Sequence, residues 1–384
     1  MNEAEIENVE EELDSTGHSS GIEREREDAV EIESPFDPTD VEIVTRNPSV
    51  DSLMKRLDHD EIDLQPDFQR KAGIWSPGRK SRLIESLLLN IPLPVFYVAS
   101  DADGDWIVVD GLQRLTSLNQ YLREQSFALQ GLEFLHQFNG QKFDDLPRSM
   151  QRRILESEPV FHIIQPGSPK PVTRTIFKRI NTSGMPLSAQ EIRNALYQGA
   201  ATKLLRHLVE TEVFQRATAG SIKDDRMADQ ECALRYLAFR IRGVDEYRVS
   251  DLDGFLSDTM ERLNKADPAE LSRYRAEFTQ AMERAHRVFD DLAFRKQRRD
   301  SSRRSPINKA LFETWSVALG ALDEADAEYL AEHRDLLGEA FVSLLESDSQ
   351  FGAAISVTTG AVASVRIRFE RVQGLIADVL GKEE

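Results

Sequence analysis

The chain has 384 residues, of which 40% are hydrophobic and 30% charged, and its 67 acidic against 48 basic residues give a formal net charge of −19. This composition suits a soluble globular protein of two or three domains whose long-range field repels nucleic acid and anionic membranes, without excluding a local basic site. A single cysteine, Cys232, excludes an internal disulfide framework and a cysteine-rich zinc module, and no apolar run approaches the ~18 residues of a membrane span.

The start Met1-Asn2-Glu3-Ala4-Glu5 lacks the basic onset of a signal peptide, so a cytoplasmic protein is expected. Residues 1–34 hold thirteen Asp and Glu against Arg24 and Arg26, few aliphatic residues and no aromatic one. Such a segment buries too little apolar surface to offset its ordering entropy, which predicts a disordered acidic tail. From 35 to about 200, strand and helix patterns alternate. Strands are expected at 41–44, 94–98, 106–109 and 160–164, with Asp101-Ala-Asp-Gly-Asp105 as a hairpin turn. Helices are expected at 79–89, 112–123, 147–156, 173–180 and 189–197, the last with Ser188 and Glu191 as a capping box. Residues 201–384 read as almost wholly helical. Val362, Val365, Phe369, Val372, Ile376 and Val379 recur at helical spacing, as helix-packing core or, alternatively, a dimerising seam.

The densest chemical signal is Trp106-Ile-Val-Val-Asp-Gly-Leu-Gln-Arg-Leu-Thr-Ser-Leu118, an apolar strand running into a glycine turn and a helix. Gly111 permits a sharp turn and close ligand approach, and the first helical amides form an anion site. Arg114 adds a planar cation suited to phosphate oxygens, and Asp110 caps the helix or holds a metal or water. The plain alternative is a strand–turn–helix with Asp110 as cap and Arg114 in solvent. A second polar–cationic dipeptide, Gln69-Arg70, stands in Pro66-Asp67-Phe68-Gln69-Arg70 ahead of Trp75; alone it reads as a surface loop with arginine stacked on the indole. A third element ends a helix in Asn181-Thr-Ser-Gly184 and starts another at Ser188, placing Asn181, Ser183, Gly184, Arg193 and Asn194 as ligand contacts or as a simple helix connection.

In order and spacing these three segments resemble the GmrSD restriction endonuclease N-terminal domain family, whose core is similar to the ParB/sulfiredoxin fold. The family's aspartate-glycine-glutamine-glutamine-arginine motif stands as Asp110-Gly111-Leu112-Gln113-Arg114, its proline-x-aromatic-glutamine-arginine opening as Pro66–Arg70, and its asparagine-x-x-glycine-x-x-leucine segment as Asn181–Leu187. The resemblance covers roughly 40–200, with a weaker echo at Ser305-Pro-Ile-Asn-Lys-Ala-Leu-Phe312. It implies an α+β fold, with a ParB/sulfiredoxin-like nucleotide-binding domain at 35–200 followed by a helical domain at 201–384. It also implies binding or hydrolysis of a nucleoside triphosphate, with Mg2+, coupled to restriction of foreign DNA. Asp110, Gln113 and Arg114 would be catalytic, and Gln69, Arg70, Gly111, Leu112, Thr116, Asn181, Ser183, Gly184, Arg193 and Asn194 would hold the nucleotide. Leu112 departs from the motif by removing a polar group. No histidine-asparagine-histidine nuclease module is found and the seven histidines show no metal-ligand spacing, so cutting would fall to the N-terminal domain, a separate subunit or a homodimer.

The basic run Arg295, Lys296, Arg298, Arg299, Arg303 and Arg304 is the candidate DNA contact; its alternative is a solvated loop or a partner for the acidic tail, which would then mimic DNA. Two further functions stay open: a non-catalytic nucleotide switch that binds DNA or a protein, and metal-dependent nicking of DNA by the N-terminal domain.

Overall fold

The computed structural model describes residues 10–14, 17–25, 42–64, 75–101, 103–166, 168, 170–180, 187–222, 226–299 and 304–381. The chain divides into two units: Ser34–Leu187, and a second that joins Met1–Glu33 to Ser188–Glu384. Among the described residues no helix is long and apolar enough to cross a membrane.

The first elements depart from the expected disordered tail. β1 (Glu11–Leu13) and β2 (Ser19–Glu23) form an antiparallel hairpin. Ile22 is buried in the core of the helical unit, where Glu23 N donates to Ile307 O at 2.8 Å and Ile307 N to Gly21 O at 2.9 Å. The carboxylates meet interior cations, Glu25 with Arg235, Glu23 with Lys296 and Glu12 with Lys309. These long-range pairs offset the entropy that the segment's own composition cannot. Residues 1–9, 15–16 and 26–34 lie outside the described set.

The middle unit contains β3 (Ile43–Arg46), α1 (Val50–Asp58), β4 (Ile62–Asp63), α2 (Pro77–Leu88), β5 (Phe96–Ser100), β6 (Trp106–Asp110), α3 (Leu112–Leu122), α4 (Arg148–Leu155), β7 (Phe161–Ile164) and α5 (Lys170–Ile180). Its strands are ordered β3-β7-β5-β6-β4. β3 with β7 and β5 with β6 run antiparallel, while β5 with β7 and β4 with β6 run parallel. The expected hairpin forms: Asp101 Oδ1 accepts from the amides of Asp103 and Asp105 at 3.0 and 2.9 Å. Alternate strand residues Phe96, Val98, Val108, Phe161 and Ile163 pack with Leu83, Ile84, Leu115, Leu118 and Ile154 of the helices into one apolar core. There the Phe96 and Phe161 rings stack at 4.7 Å. Ser76, which accepts from Arg79 N, and Pro77 at the first helical position explain why α2 begins where it does.

The second unit continues with α6 (Ala189–Leu196), α7 (Ala200–Glu210), α8 (Glu212–Ala217), α9 (Ala228–Arg242), α10 (Leu252–Lys265), α11 (Pro268–Phe289), α12 (Lys309–Ala321), α13 (Glu324–Glu332), α14 (Arg334–Ser347), α15 (Ser349–Ala354) and α16 (Val362–Val379). The α+β class with a helical C-terminal part is thus as expected. The boundary is not: it falls at Ser188 rather than near 200, because α6 buries its Ile192 and Ala195 in the helical unit. The capping box at Ser188 and Glu191 is present. α9 and α12 are enclosed on nearly every side, and Trp315 sets its indole against Phe289 at 4.7 Å and Phe341 at 5.1 Å. The apolar seam of α16 is core, with Val365, Phe369, Val372 and Ile376 buried in it.

Candidate functional site

The site is the corner where β6 gives way to α3. Val98 pairs with Val108, but Tyr97 pairs with Asp110, so Val109 is the extra residue of a β-bulge. A bulge at a strand end re-aims the side chain that follows it. Gly111 then takes φ +103°, a left-handed conformation that a side chain would strain. A Cβ there would also run into the Phe96 ring and stand 3.2 Å from Arg114 Nη2. The glycine is therefore required twice, by conformation and by space.

Arg114 faces inward. It is 7% exposed, its Nη1 donates to Pro94 O, and its Nη2 donates to Val95 O at 3.2 Å and to Asp110 Oδ2 at 2.7 Å. Its guanidinium lies over the Phe96 ring, 4.2 Å from the centroid. Burial lowers its pKa from the usual arginine range, and the charge of Asp110 opposes that shift. This corrects both expectations for the residue. It is neither a phosphate clamp nor a solvated side chain, because the carbonyls just ahead of β5 and the carboxylate at the end of β6 take its donors. Nor does Asp110 cap the helix; no described side chain caps α3. Leu112 is likewise corrected, since its side chain belongs to the apolar core.

What remains at the corner are the first amides of α3, an Asp110 carboxylate whose side chain is 32% exposed, and the half-buried Gln113 and Thr116. Gln113 Oε1 accepts from Trp75 N at 3.4 Å, which joins the described end of the proline–tryptophan segment to this motif. The cation stacked on Trp75 is Arg79, 4.5 Å from the ring centroid. Gln69, Arg70, Asn181, Ser183 and Gly184 lie outside the described residues. Pro94, Val95 and Phe96, which hold the corner together, carry no local signal, because they reach Arg114 across about twenty residues of chain.

Arg193 and Asn194 belong to the other unit and are buried there. Arg193 donates to Asp253 and, from Nε, to Gln190 Oε1 at 2.9 Å. Asn194 donates to Gln230 Oε1 at 2.7 Å. Their assignment to a nucleotide is corrected: they satisfy one another's neighbours within the packing of α6 on α9 and α10. The basic run is corrected in part. Arg295 is buried, donating to Thr218 O at 3.1 Å, Ser221 Oγ at 2.6 Å and Ser305 O. Desolvation first, and then Arg304, pushes its pKa down to about 10. Lys296 pairs with Glu23 at 2.5 Å, Arg299 with Glu346 at 3.3 Å and Arg304 with Asp291 at 2.9 Å. Arg298 is exposed, and Arg303 lies outside the described residues. A run that reads as one patch is divided between core and surface.

No curated protein matches the chain. Residues 53–198 match the profile of the GmrSD restriction endonuclease, N-terminal domain, a span that holds the Asp110–Arg114 corner and extends into α6. Over that span the chain is similar to that domain family.

Proposed function

We propose that the chain is a restriction-type defence protein acting on DNA, and that the β6–α3 corner binds a nucleoside triphosphate together with Mg2+. The observation that carries this reading is the family match over 53–198, within which the motif occupies a glycine turn that leads from a bulged strand into a helix without a side-chain cap. Amides at such a helix start suit phosphate oxygens. Gln113, held against Trp75, positions the ligand or a water, and Asp110 is the carboxylate nearest the turn in sequence. Arg114 shapes the turn from beneath. Cleavage of DNA falls to a separate nuclease subunit or to a second copy of the chain.

The inward Arg114 favours a second reading, a nucleotide switch without turnover. Phosphoryl transfer draws most of its catalysis from charges preorganised around the phosphates. A cation whose donors go to Pro94, Val95 and Asp110 does not supply that charge. Direct nicking by Asp110 is less well supported, since its carboxylate is paired with the same arginine.

Calorimetric titration with each of the four ribonucleoside triphosphates, in Mg2+, tests the site. One of them binds, and Gln113→Ala weakens that binding by about tenfold, the worth of one hydrogen bond to a charged group. A chain that binds none of the four overturns the reading. Phosphate release at saturation then separates hydrolysis from switching.

A further inference from the structure

The N-terminal hairpin reaches into the helical unit through three carboxylates. Arg235 grips Glu25 with both terminal nitrogens, Nη1 to Oε1 at 2.9 Å and Nη2 to Oε2, while Thr359 Oγ1 donates to the same carboxylate at 2.9 Å. Lys309 Nζ meets Glu12 at 2.7 Å. Lys296 Nζ meets Glu23 at 2.5 Å, and Asn308 Nδ2 donates to that carboxylate at 3.1 Å. In two of the three pairs the hairpin side chain is the more exposed, Glu12 at 31% over Lys309 at 5% and Glu25 at 17% over Arg235 at 3%, whereas Glu23 is as buried as Lys296. The apolar attachment is slight. Ile22 is buried, but Leu13 is 59% exposed, and a two-stranded hairpin is marginal without support. Ion pairs therefore hold this cover in place together with Ile22 and the hairpin's two backbone bonds to Ile307, while Arg235 and Lys309 also pair with Glu231 of the helical unit at 2.8 and 3.2 Å.

We propose that Arg235, Lys296, Lys309, Asn308 and Thr359 form an anion site for the phosphodiester backbone of DNA, and that the β1–β2 hairpin is its built-in competitor. Carboxylate and phosphate oxygens are both acceptor-only anions, and the fork of Arg235 suits either. Glu12, Glu23 and Glu25 offer in cis, along one hairpin, the spaced negative charges that a nucleic-acid strand offers in trans. The inference shares with the proposed function only the choice of DNA as target and is independent of the Gly111 corner.

The test is fluorescence anisotropy with a labelled DNA duplex at low salt, on the full chain and on its Glu12→Gln/Glu25→Gln variant. The variant binds about tenfold more tightly than wild type, with a steeper salt dependence, and adding Lys296→Gln removes part of that gain. In wild type, saturating duplex speeds hydrogen exchange at the amides of Ile22 and Glu23. A neutralised variant that binds no tighter overturns the proposal. Should that variant lack a cooperative melt, the exchange experiment decides alone, and unchanged protection of Ile22 and Glu23 overturns it. A failure in either arm leaves triphosphate titration of the Gly111 corner untouched, so the two readings fall separately.

Discussion

The Asp110 carboxylate accepts from Arg114 Nη2 at 2.7 Å across one turn of α3, and this bond ties the end of β6, the glycine turn and the helix into one corner. The same guanidinium reaches Pro94 and Val95, so the entry to β5 is fastened as well. Arg114 organises the motif from inside.

Replacing it should therefore unfold rather than merely disarm. Arg114→Ala leaves two carbonyls and a carboxylate without their donor and should cost about 3 kcal/mol. Arg114→Lys should recover only part, because an ammonium cannot serve three acceptors in a planar fork. Urea denaturation measures both, and an alanine variant of wild-type stability would contradict the assignment.

Two glycines separate conformation from space. Gly104 has φ +91° and nothing within 4 Å of an added Cβ, whereas Gly111 has φ +103° and the Phe96 ring in the way. Gly104→Ala should cost about 1 kcal/mol from backbone strain alone, and Gly111→Ala at least about 2 kcal/mol more. Equal losses in thermal melts would show that the corner can open around the methyl group.

The hairpin predicts a pH profile. Burial alone would raise the pKa of Glu25, but Arg235 and Lys309 overcome this against the opposing charge of Glu231, leaving it below 4.5. Its contribution is thus complete above pH 4.5 and is lost as the pH falls through the lower folded-state value. Lys309 runs the other way: burial lowers its pKa, while Glu12, Glu231 and Glu25 raise it above 10.5, so its share is complete below pH 10.5 and is lost as the pH climbs through the folded-state value. Glu25→Gln should cost about 3 kcal/mol at neutral pH and less in acid. Denaturation at pH 7 and pH 4 should show the gap between wild type and variant narrowing; parallel profiles would exclude this linkage.

Within the basic run, Arg295→Ala should cost about 3 kcal/mol, since it removes a buried cation's four hydrogen bonds, one of them to the buried Thr218 carbonyl. Arg298→Ala should stay within about 0.5 kcal/mol. Chemical denaturation of the pair distinguishes core from surface, and the reverse order would restore the whole run to solvent.

The strand–turn–helix around Gly111 was legible because the apolar run, the glycine and the helical spacing all act within a dozen residues; β6 and α3 lie within one residue of the expected bounds. Helix α1 was missed despite a local signal, Ser49 Oγ accepting from Ser52 N at 3.2 Å ahead of the buried Val50, Leu53 and Met54. The direction taken by Arg114 was not legible, since its carbonyl partners are set by how β5 enters the sheet. Nor was the hairpin, whose acidic composition reads as disorder until its cations are known. Distance along the chain separates the two cases.

That distance has a consequence for biosynthesis. Glu23 and Asn308 are 285 residues apart, so at roughly 5–20 residues per second the first strands leave the ribosome roughly 15 to 60 s before their partners exist. The middle unit is complete in the nascent chain while both acidic strands still wait in water. Helix α9 and the start of α12 give them a place, so termination of translation before α12 would leave a finished sheet domain beside an orphaned, negatively charged leader.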